Sequence, residues 1–313
     1  MSDDKKQFPY PGIPTTSDGA GCVVWAETNI TNGACAYPIT SSTTMGTGYQ
    51  TEVSNGKKNL WGDTLTFVQP ESEHSAASTC EGYALAGGRV TNFTSGQGLV
   101  LMKEVLYTIS GKRLPVVMNI GARALTSQGL NVHAGHDDIM SVADVGWGMI
   151  VARNAQEAGD FCLIARRAAE ASQTPFFSVQ DGFLTTHTVE TVRLPELEFM
   201  KNFIGDPKEK LSNLMDPASP LMSGVVQNQD SYMKGKIAQR WYYERVEPAL
   251  ADAFEEGRHN GRPRPSCNSR SWRCVTRSWF RPAWRRESRP PSRRHAPRCG
   301  CWSCRAQSRS SVR

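Results

Sequence analysis

Short apolar runs of four to six residues alternate along this chain with longer stretches where small or apolar residues recur at helical spacing. Residues 115–120 (PVVMNI) form the clearest run, broken only by Asn119, and their length and β-branching predict a buried strand. The same pattern predicts strands over residues 34–39, 65–68, 90–93, 148–152 and 175–179. Between them, Ser41, Ser42, Thr43 and Thr44 offer N-caps for a short helix towards Val53. The helix after Glu73 carries Ala76, Ala77, Cys80 and Ala84 for close packing and stops at Gly87-Gly88. Residues 99–109 are apolar nearly all round and predict one buried helix. Asn154 with Glu157 reads as a capping pair for a helix to Ala171, striped by Ala155, Ala158, Cys162, Ala165 and Ala169. Residues 1–19, with Pro9, Pro11 and Pro14, read as an extended arm, and residues 21–29 fit strand or helix equally. After Leu194 the regularity fades into a Pro- and charge-rich excursion, and a helix resumes over residues 234–256. Strands alternating with helices of ten or more residues predict an α/β fold. Its core is an open, mostly parallel sheet of about six strands with helices on both faces.

Charge divides the chain in two. Residues 258–313 hold 16 Arg, no Lys and one acid, Glu287, a net +15, whereas residues 1–257 carry 20 basic and 29 acidic side chains, a net −9. The body is therefore mildly acidic, and the high pI belongs to the tail alone. Cys22, Cys35, Cys80 and Cys162 are scattered through the body in apolar or helical contexts, which predicts buried reduced thiols. Residues 1–7 are polar and charged, unlike a signal peptide, and no apolar run approaches the ~20 residues that span a bilayer. The expectation is a cytoplasmic protein with no membrane partner.

Candidate chemistry gathers where the strands end. Thr40, Glu73, Ser95 and Arg123 each follow a predicted strand, the edge of an open α/β sheet where ligands bind. A guanidinium there suits a carboxylate or phosphate, though a surface arginine paired to an acid is the plainer reading of Arg123 alone. Likewise Thr40 reads as a cap, Glu73 as a first-turn acid favoured by the helix dipole, and Ser95 as an N-cap. Gly96 and Gly98 offer a weak anion site, since no Lys-Ser/Thr follows them. His133, His136, Asp137 and Asp138 are candidate metal ligands in a Gly-containing turn without a further partner pattern, and no metal is expected there.

Several motifs in register carry a likeness to a known family. Tyr37-Pro38-Ile39-Thr40 with Ser42, Thr44 and Met45 resembles the YPITPSS-x-M signature of the pyruvate:ferredoxin (flavodoxin) oxidoreductases. Ser72-Glu73 resembles their S-E segment, Thr94 to Leu99 their T-A-S-Q-G-L, and Tyr107 to Gly111 their Y-K-I-S-G. Ala122-Arg123 is similar to their A-R pair, and Asp181-Gly182-Phe183 with Thr186-His187 to their D-G-F-R-T-S-H. Order and spacing hold over residues 33–187, with a weaker match to about residue 256. The resemblance implies the amino-terminal, pyrimidine-binding domain of a thiamine-diphosphate enzyme that decarboxylates a 2-oxoacid oxidatively to an acyl-CoA. The glutamate matching Glu73 would hydrogen-bond the cofactor's aminopyrimidine ring and promote removal of the thiazolium proton. Ser95 would also lie on the cofactor, while Thr40 and Arg123 would address the 2-oxoacid, the arginine through its carboxylate. Iron–sulfur clusters, coenzyme A and ferredoxin or flavodoxin complete the implied reaction, in a homo-oligomeric enzyme.

Ser41 stands where the signature has proline, Leu184 where D-G-F-R has arginine, and residues 135–138 follow the family's G-D-H-Q-D only loosely. No G-D-G followed by an Asn for magnesium and diphosphate is present, and no ferredoxin-like cysteine run. Residues 1–257 are expected to form half a cofactor site, completed by diphosphate-binding and iron–sulfur domains or subunits. Residues 258–313 lack Lys, Leu, Ile, Met, Tyr and Asp yet hold five Cys and four Trp, a composition that predicts disorder. Such a mixture is what an out-of-frame reading of a GC-rich gene yields, with the break near Gly257. A nucleic-acid-binding tail and a non-functional gene fragment are the alternatives, the former carrying a steep salt dependence.

Overall fold

The sheet at the centre of the molecule has the order β3-β2-β4-β5-β7-β6, formed by β2 (Gly33–Cys35), β3 (Thr66–Val68), β4 (Val90–Thr94), β5 (Val117–Ala122), β6 (Gly148–Val151) and β7 (Phe176–Asp181). The computed structural model describes residues 9–259. Nearly all of the Arg-rich tail, with its cysteines, and the first residues of the expected arm lie outside the described residues. All neighbouring strands in this sheet run parallel, with Val117 opposite Phe176 and Thr91 opposite Val117. Every residue of β4 and β5 is buried, because helices cover both faces.

Side chains of β5 divide by parity between two cores. Met118, Ile120 and Ala122 join one apolar cluster with Ala77 and Cys80 of α3 (Glu73–Leu85) and Leu106 and Ile109 of α5 (Lys103–Gly111). Val117, Asn119 and Gly121 alternate to the other face, towards α1 (Gly19–Ile30) and α7 (Ala155–Ser172). That face explains the one polar residue in the run. Asn119 donates to Glu27 Oε1 at 2.8 Å and to Thr91 Oγ1 at 3.1 Å, while Arg166 of α7 stands 3.3 Å from Glu27 Oε2. A buried carboxylate and guanidinium are thereby paired and hydrogen-bonded together.

The ambiguous residues 21–29 form helix α1, started by Asp18, whose side chain accepts from Gly21 N at 2.7 Å. Asn154 caps α7 by accepting from Glu157 N at 2.9 Å, and the expected stripe is buried. The four body cysteines are free and buried.

Five expectations about the elements are corrected. Residues 99–109 are two helices, α4 (Gly96–Leu101) and α5, divided at Met102, and Leu101 and Tyr107 are exposed. Continuous apolarity hid the break, and Val105, Leu106 and Ile109 are the core side chains of α5. The strand expected over 34–39 ends at Cys35, because the chain leaves the sheet after Ala36 N donates to Val68 O at 3.1 Å. Residues 13–17 of the expected arm form β1 (Ile13–Ser17), antiparallel to β8 (Glu190–Leu194) in a separate two-stranded sheet that tolerates Pro14. Beyond Leu194 order continues through α8 (Leu197–Ile204), α9 (Pro207–Lys210), α10 (Gln229–Ala238) and α11 (Arg240–His259). The single helix expected over 234–256 is thus α10 and α11, parted at Gln239. Phe199, Met200, Phe203 and Ile204 of α8 are buried, as are the apolar side chains of Val246, Leu250 and Ala253 in α11, which packs on α7.

Candidate functional site

The chain passes from β2 outward to β3, but from β4 in the opposite direction to β5, so the sheet reverses its winding between β2 and β4. At such a switch point the connections leave a crevice at the carboxyl ends of the strands. Residues 36–42, 95–98 and 123 line that edge, and α3 opens at Glu73 after β3. Thr40, Glu73, Ser95 and Arg123 therefore follow four neighbouring strands, and the structure brings them together.

Arg123 begins directly after β5 and is 5% exposed. Its Nη2 donates to Gln97 Oε1 at 2.6 Å and its Nη1 to the carbonyl of Thr40. Its Nε is buried without a partner against Gly96, where an added Cβ would fall 2.3 Å away. Gly96 also has φ +49°, so glycine is required there on two counts. Burial pulls the Arg123 pKa below its ordinary value, opposed by the charges of Asp138 and Glu73. Neither carboxylate forms an ion pair with it, and no other does among the described residues. The plainer reading of Arg123, a surface arginine with an acidic partner, does not hold.

Glu73 is the first residue of α3, whose N-cap Ser72 accepts from Ser75 N at 3.3 Å. The side chain is half-buried and lies along Gly98, where a Cβ would come within 2.8 Å of Oε1 and 2.9 Å of Thr94 Oγ1. No group among the described residues donates a hydrogen bond to this carboxylate, and the buried Thr94 hydroxyl beside it has no partner either.

Ser95 is the N-cap residue of α4, but its hydroxyl does not cap the helix. It accepts the Ser41 N–H at 3.3 Å instead, and Ser41 Oγ donates to Gly121 O at 3.3 Å. Thr40 is exposed and does not cap α2 (Thr43–Ser54) either, since Ser42 holds that place and turns its hydroxyl to Ile39 O at 2.8 Å. Thr40 meets Arg123 through its carbonyl.

Two residues were not singled out for the places they take. Gln97 orients the Arg123 fork, and its position in the T-S-Q-G-L stretch was the only signal for it. Asp138, grouped with possible metal ligands, is fully buried in α6 (Asp137–Ser141) and accepts the Gly96 N–H at 2.8 Å, the Arg123 N–H at 3.1 Å and the Ile139 N–H at 2.8 Å. Burial raises its pKa, opposed by those three bonds. This corrects the anion site expected at Gly96 and Gly98. The Gly96 amide is taken by the chain's own carboxylate, and Gly98 N donates to Ser95 O at 3.1 Å.

The remaining metal candidates are dispersed. His133 packs on Phe183, with ring centres 5.1 Å apart, and His136 Nε2 stands 2.8 Å from Asp181 Oδ1. Among the described residues no group of three or more His, Cys, Asp or Glu is placed to hold a metal ion. The Asp181 hydrogen bond raises the His136 pKa above the ordinary 6.5, so this contact stabilises the fold fully below 6.5 and fades as pH rises through the raised value. Asp181→Asn is expected to bring the His136 titration midpoint back down, read by NMR of the imidazole ring; an unmoved midpoint would mean the contact does not form in solution.

Residues 28–255 match the family model described as pyruvate flavodoxin/ferredoxin oxidoreductase, thiamine diphosphate-binding. A pyruvate-flavodoxin oxidoreductase of Klebsiella pneumoniae is 34% identical over 246 residues, which are 78% of this chain and 21% of that protein. The pyruvate synthase subunit PorA of Pyrococcus furiosus is 38% identical over 223 residues, 71% of this chain and 54% of its own. Among solved structures, a 2-oxoglutarate:ferredoxin oxidoreductase of Magnetococcus marinus, with 2-oxoglutarate, coenzyme A and succinyl-CoA bound, superposes with a TM-score of 0.59 at 18% identity. The match covers 77% of this chain and 46% of that one. This chain thus spans about a fifth of the full-length flavodoxin oxidoreductases and about half of the PorA subunit. No helix among the described residues is long and apolar enough to cross a membrane.

Proposed function

The chain belongs to the pyruvate flavodoxin/ferredoxin oxidoreductase family, and we propose that it supplies the pyrimidine-facing half of a thiamine-diphosphate site together with the clamp for a 2-oxoacid. One observation carries the reading: a buried guanidinium and a carboxylate that find, among the described residues, no ion pair and no hydrogen bond respectively flank the same turn, residues 95–98. A buried cation that no carboxylate pairs with among the described residues is a place for an anionic ligand.

The donor set suits one end of the cofactor. The Glu73 carboxylate and the unpartnered Thr94 hydroxyl both lie against Gly98, 2.8 and 2.9 Å from where a Cβ would stand, and the missing side chain leaves room for them. Such a carboxylate can share a proton with a weakly basic ring nitrogen. Ser95, held by Ser41 N–H, keeps a hydroxyl proton to donate at the same edge. Nothing in this donor set suits Mg²⁺ and a diphosphate, so that half is assigned to another domain or subunit. Thiamine diphosphate, when bound, supplies the nucleophilic carbon for the 2-oxo group. Arg123 binds the substrate carboxylate and orients it, and Thr40 lies at the same end of the substrate.

Electron removal through iron–sulfur clusters, acyl transfer to coenzyme A and delivery to ferredoxin or flavodoxin belong to the remaining domains or subunits. The test is assembly: this chain is mixed with a separately expressed diphosphate-binding and cluster-bearing portion, thiamine diphosphate, Mg²⁺, pyruvate and coenzyme A. Ferredoxin reduction is expected only when the chain is present. Reduction at the same rate without it would dismiss the reading.

A further inference from the structure

We propose that Asp138 is a positioning residue for oxoacid recognition, setting the direction of the Arg123 guanidinium without touching the substrate. The inference rests on the assignment of Arg123 to the oxoacid carboxylate. Asp138 is fully buried, and its carboxylate bonds only backbone donors, with no ion pair among the described residues. A single atom, Oδ2, accepts from Gly96 at 2.8 Å and from Arg123 at 3.1 Å. It therefore ties the turn after β4 to the residue that follows β5.

Those two backbone positions are the ones that aim the guanidinium. Arg123 sets where its side chain starts, and Gly96 is the surface that its Nε lies against, 2.3 Å from where a Cβ would stand. The fork is then completed by Thr40 O and Gln97 Oε1. Shifting either backbone position rotates the face offered to a carboxylate, while Glu73 is carried by a separate element, α3. A neutral side chain would satisfy backbone N–H groups with less desolvation than a buried carboxylate. What the charge adds is support for the buried cation, and Asp138 is the larger of the two charges that oppose its desolvation.

The experiment is a double-mutant cycle in the assembled oxidoreductase carrying this chain, with pyruvate as the probe. Asp138→Asn keeps the shape but sets an amide NH₂ against a backbone N–H. An approximately tenfold rise in KM for pyruvate is expected, with kcat and thiamine-diphosphate affinity changed less than about twofold. In the Arg123→Lys background the same substitution is expected to add less than about twofold, because both act on one interaction. Amide exchange on the full chain supplies a reading independent of turnover: Gly96 and Arg123 exchange faster in Asp138→Leu, which keeps no acceptor, while the interior of β4 and β5 does not. If those interiors lose protection as well, Asp138→Ser, which keeps one acceptor, carries the same cycle.

A full tenfold effect that persists beside Arg123→Lys, or an equal loss of cofactor affinity, overturns the positioning role and leaves the clamp standing. Arg123→Lys with no effect of its own removes the clamp, and the inference with it.

Discussion

Glu73→Gln in the assembled enzyme is expected to cut turnover by roughly two to four decades, the usual scale for removing one acid–base group. Glutamine keeps the length and shape of the side chain along Gly98, so the cavity is unchanged, but it cannot hold and return a proton. The structural cost is small by comparison. A first-turn acid contributes about 0.3–1 kcal/mol to its helix through the dipole, against the ~3–5 kcal/mol that two to four decades represent. The two effects therefore separate by magnitude. The measurement is steady-state ferredoxin reduction at saturating pyruvate and cofactor, beside a thermal melt of each variant. A full rate with a normal melt would strip Glu73 of its role; a collapsed melt would mean that the residue holds α3 rather than the chemistry.

How much of this was legible in the sequence depended on whether a residue's partner was local. The six strands of the central sheet were each found by a short run, clearest where the strand is covered on both faces and mainly apolar, as in β5. Caps such as Asn154 were legible because donor and acceptor lie three residues apart. β1 was not, since it forms only by pairing with β8, some 180 residues away, and its prolines favour an arm. α8 was obscured by its length, eight residues between Pro195 and Pro207. Within the site, Arg123, Glu73, Ser95 and Thr40 could be placed from strand ends and motif order alone. Asp138 could not be assigned its role, because its chemistry consists of backbone N–H groups that no residue type reveals. Beside two histidines it could be read as no more than a weak candidate metal ligand, whereas it is buried and bonds Gly96 and Arg123. Thr40 differs in another way, since position predicted it but its carbonyl, not its hydroxyl, meets Arg123.

Arg123→Lys is expected to lower kcat/KM for the oxoacid by about one to two decades while leaving thiamine-diphosphate affinity nearly unchanged. Lysine keeps the charge but not the planar fork, and the fork is already arranged here. Nη1 is held by Thr40 O and Nη2 by Gln97 Oε1, so the remaining donors point in fixed directions. An ammonium in the same space can satisfy one of these acceptors and an incoming carboxylate only at the other's expense. The loss is that of a charge-assisted hydrogen bond, roughly 1.5–3 kcal/mol. Thr40→Val belongs to the same comparison, with a milder effect, because it removes a neutral hydroxyl and keeps the carbonyl that steadies the guanidinium. Cofactor affinity and oxoacid kcat/KM are to be measured separately in the assembled enzyme. If Arg123→Lys weakens thiamine diphosphate as much as it weakens the oxoacid, the arginine holds residues 40 and 97 in place for the whole site. The substrate carboxylate would then be gripped elsewhere, and the unneutralised cation at the end of β5 would be a structural tie.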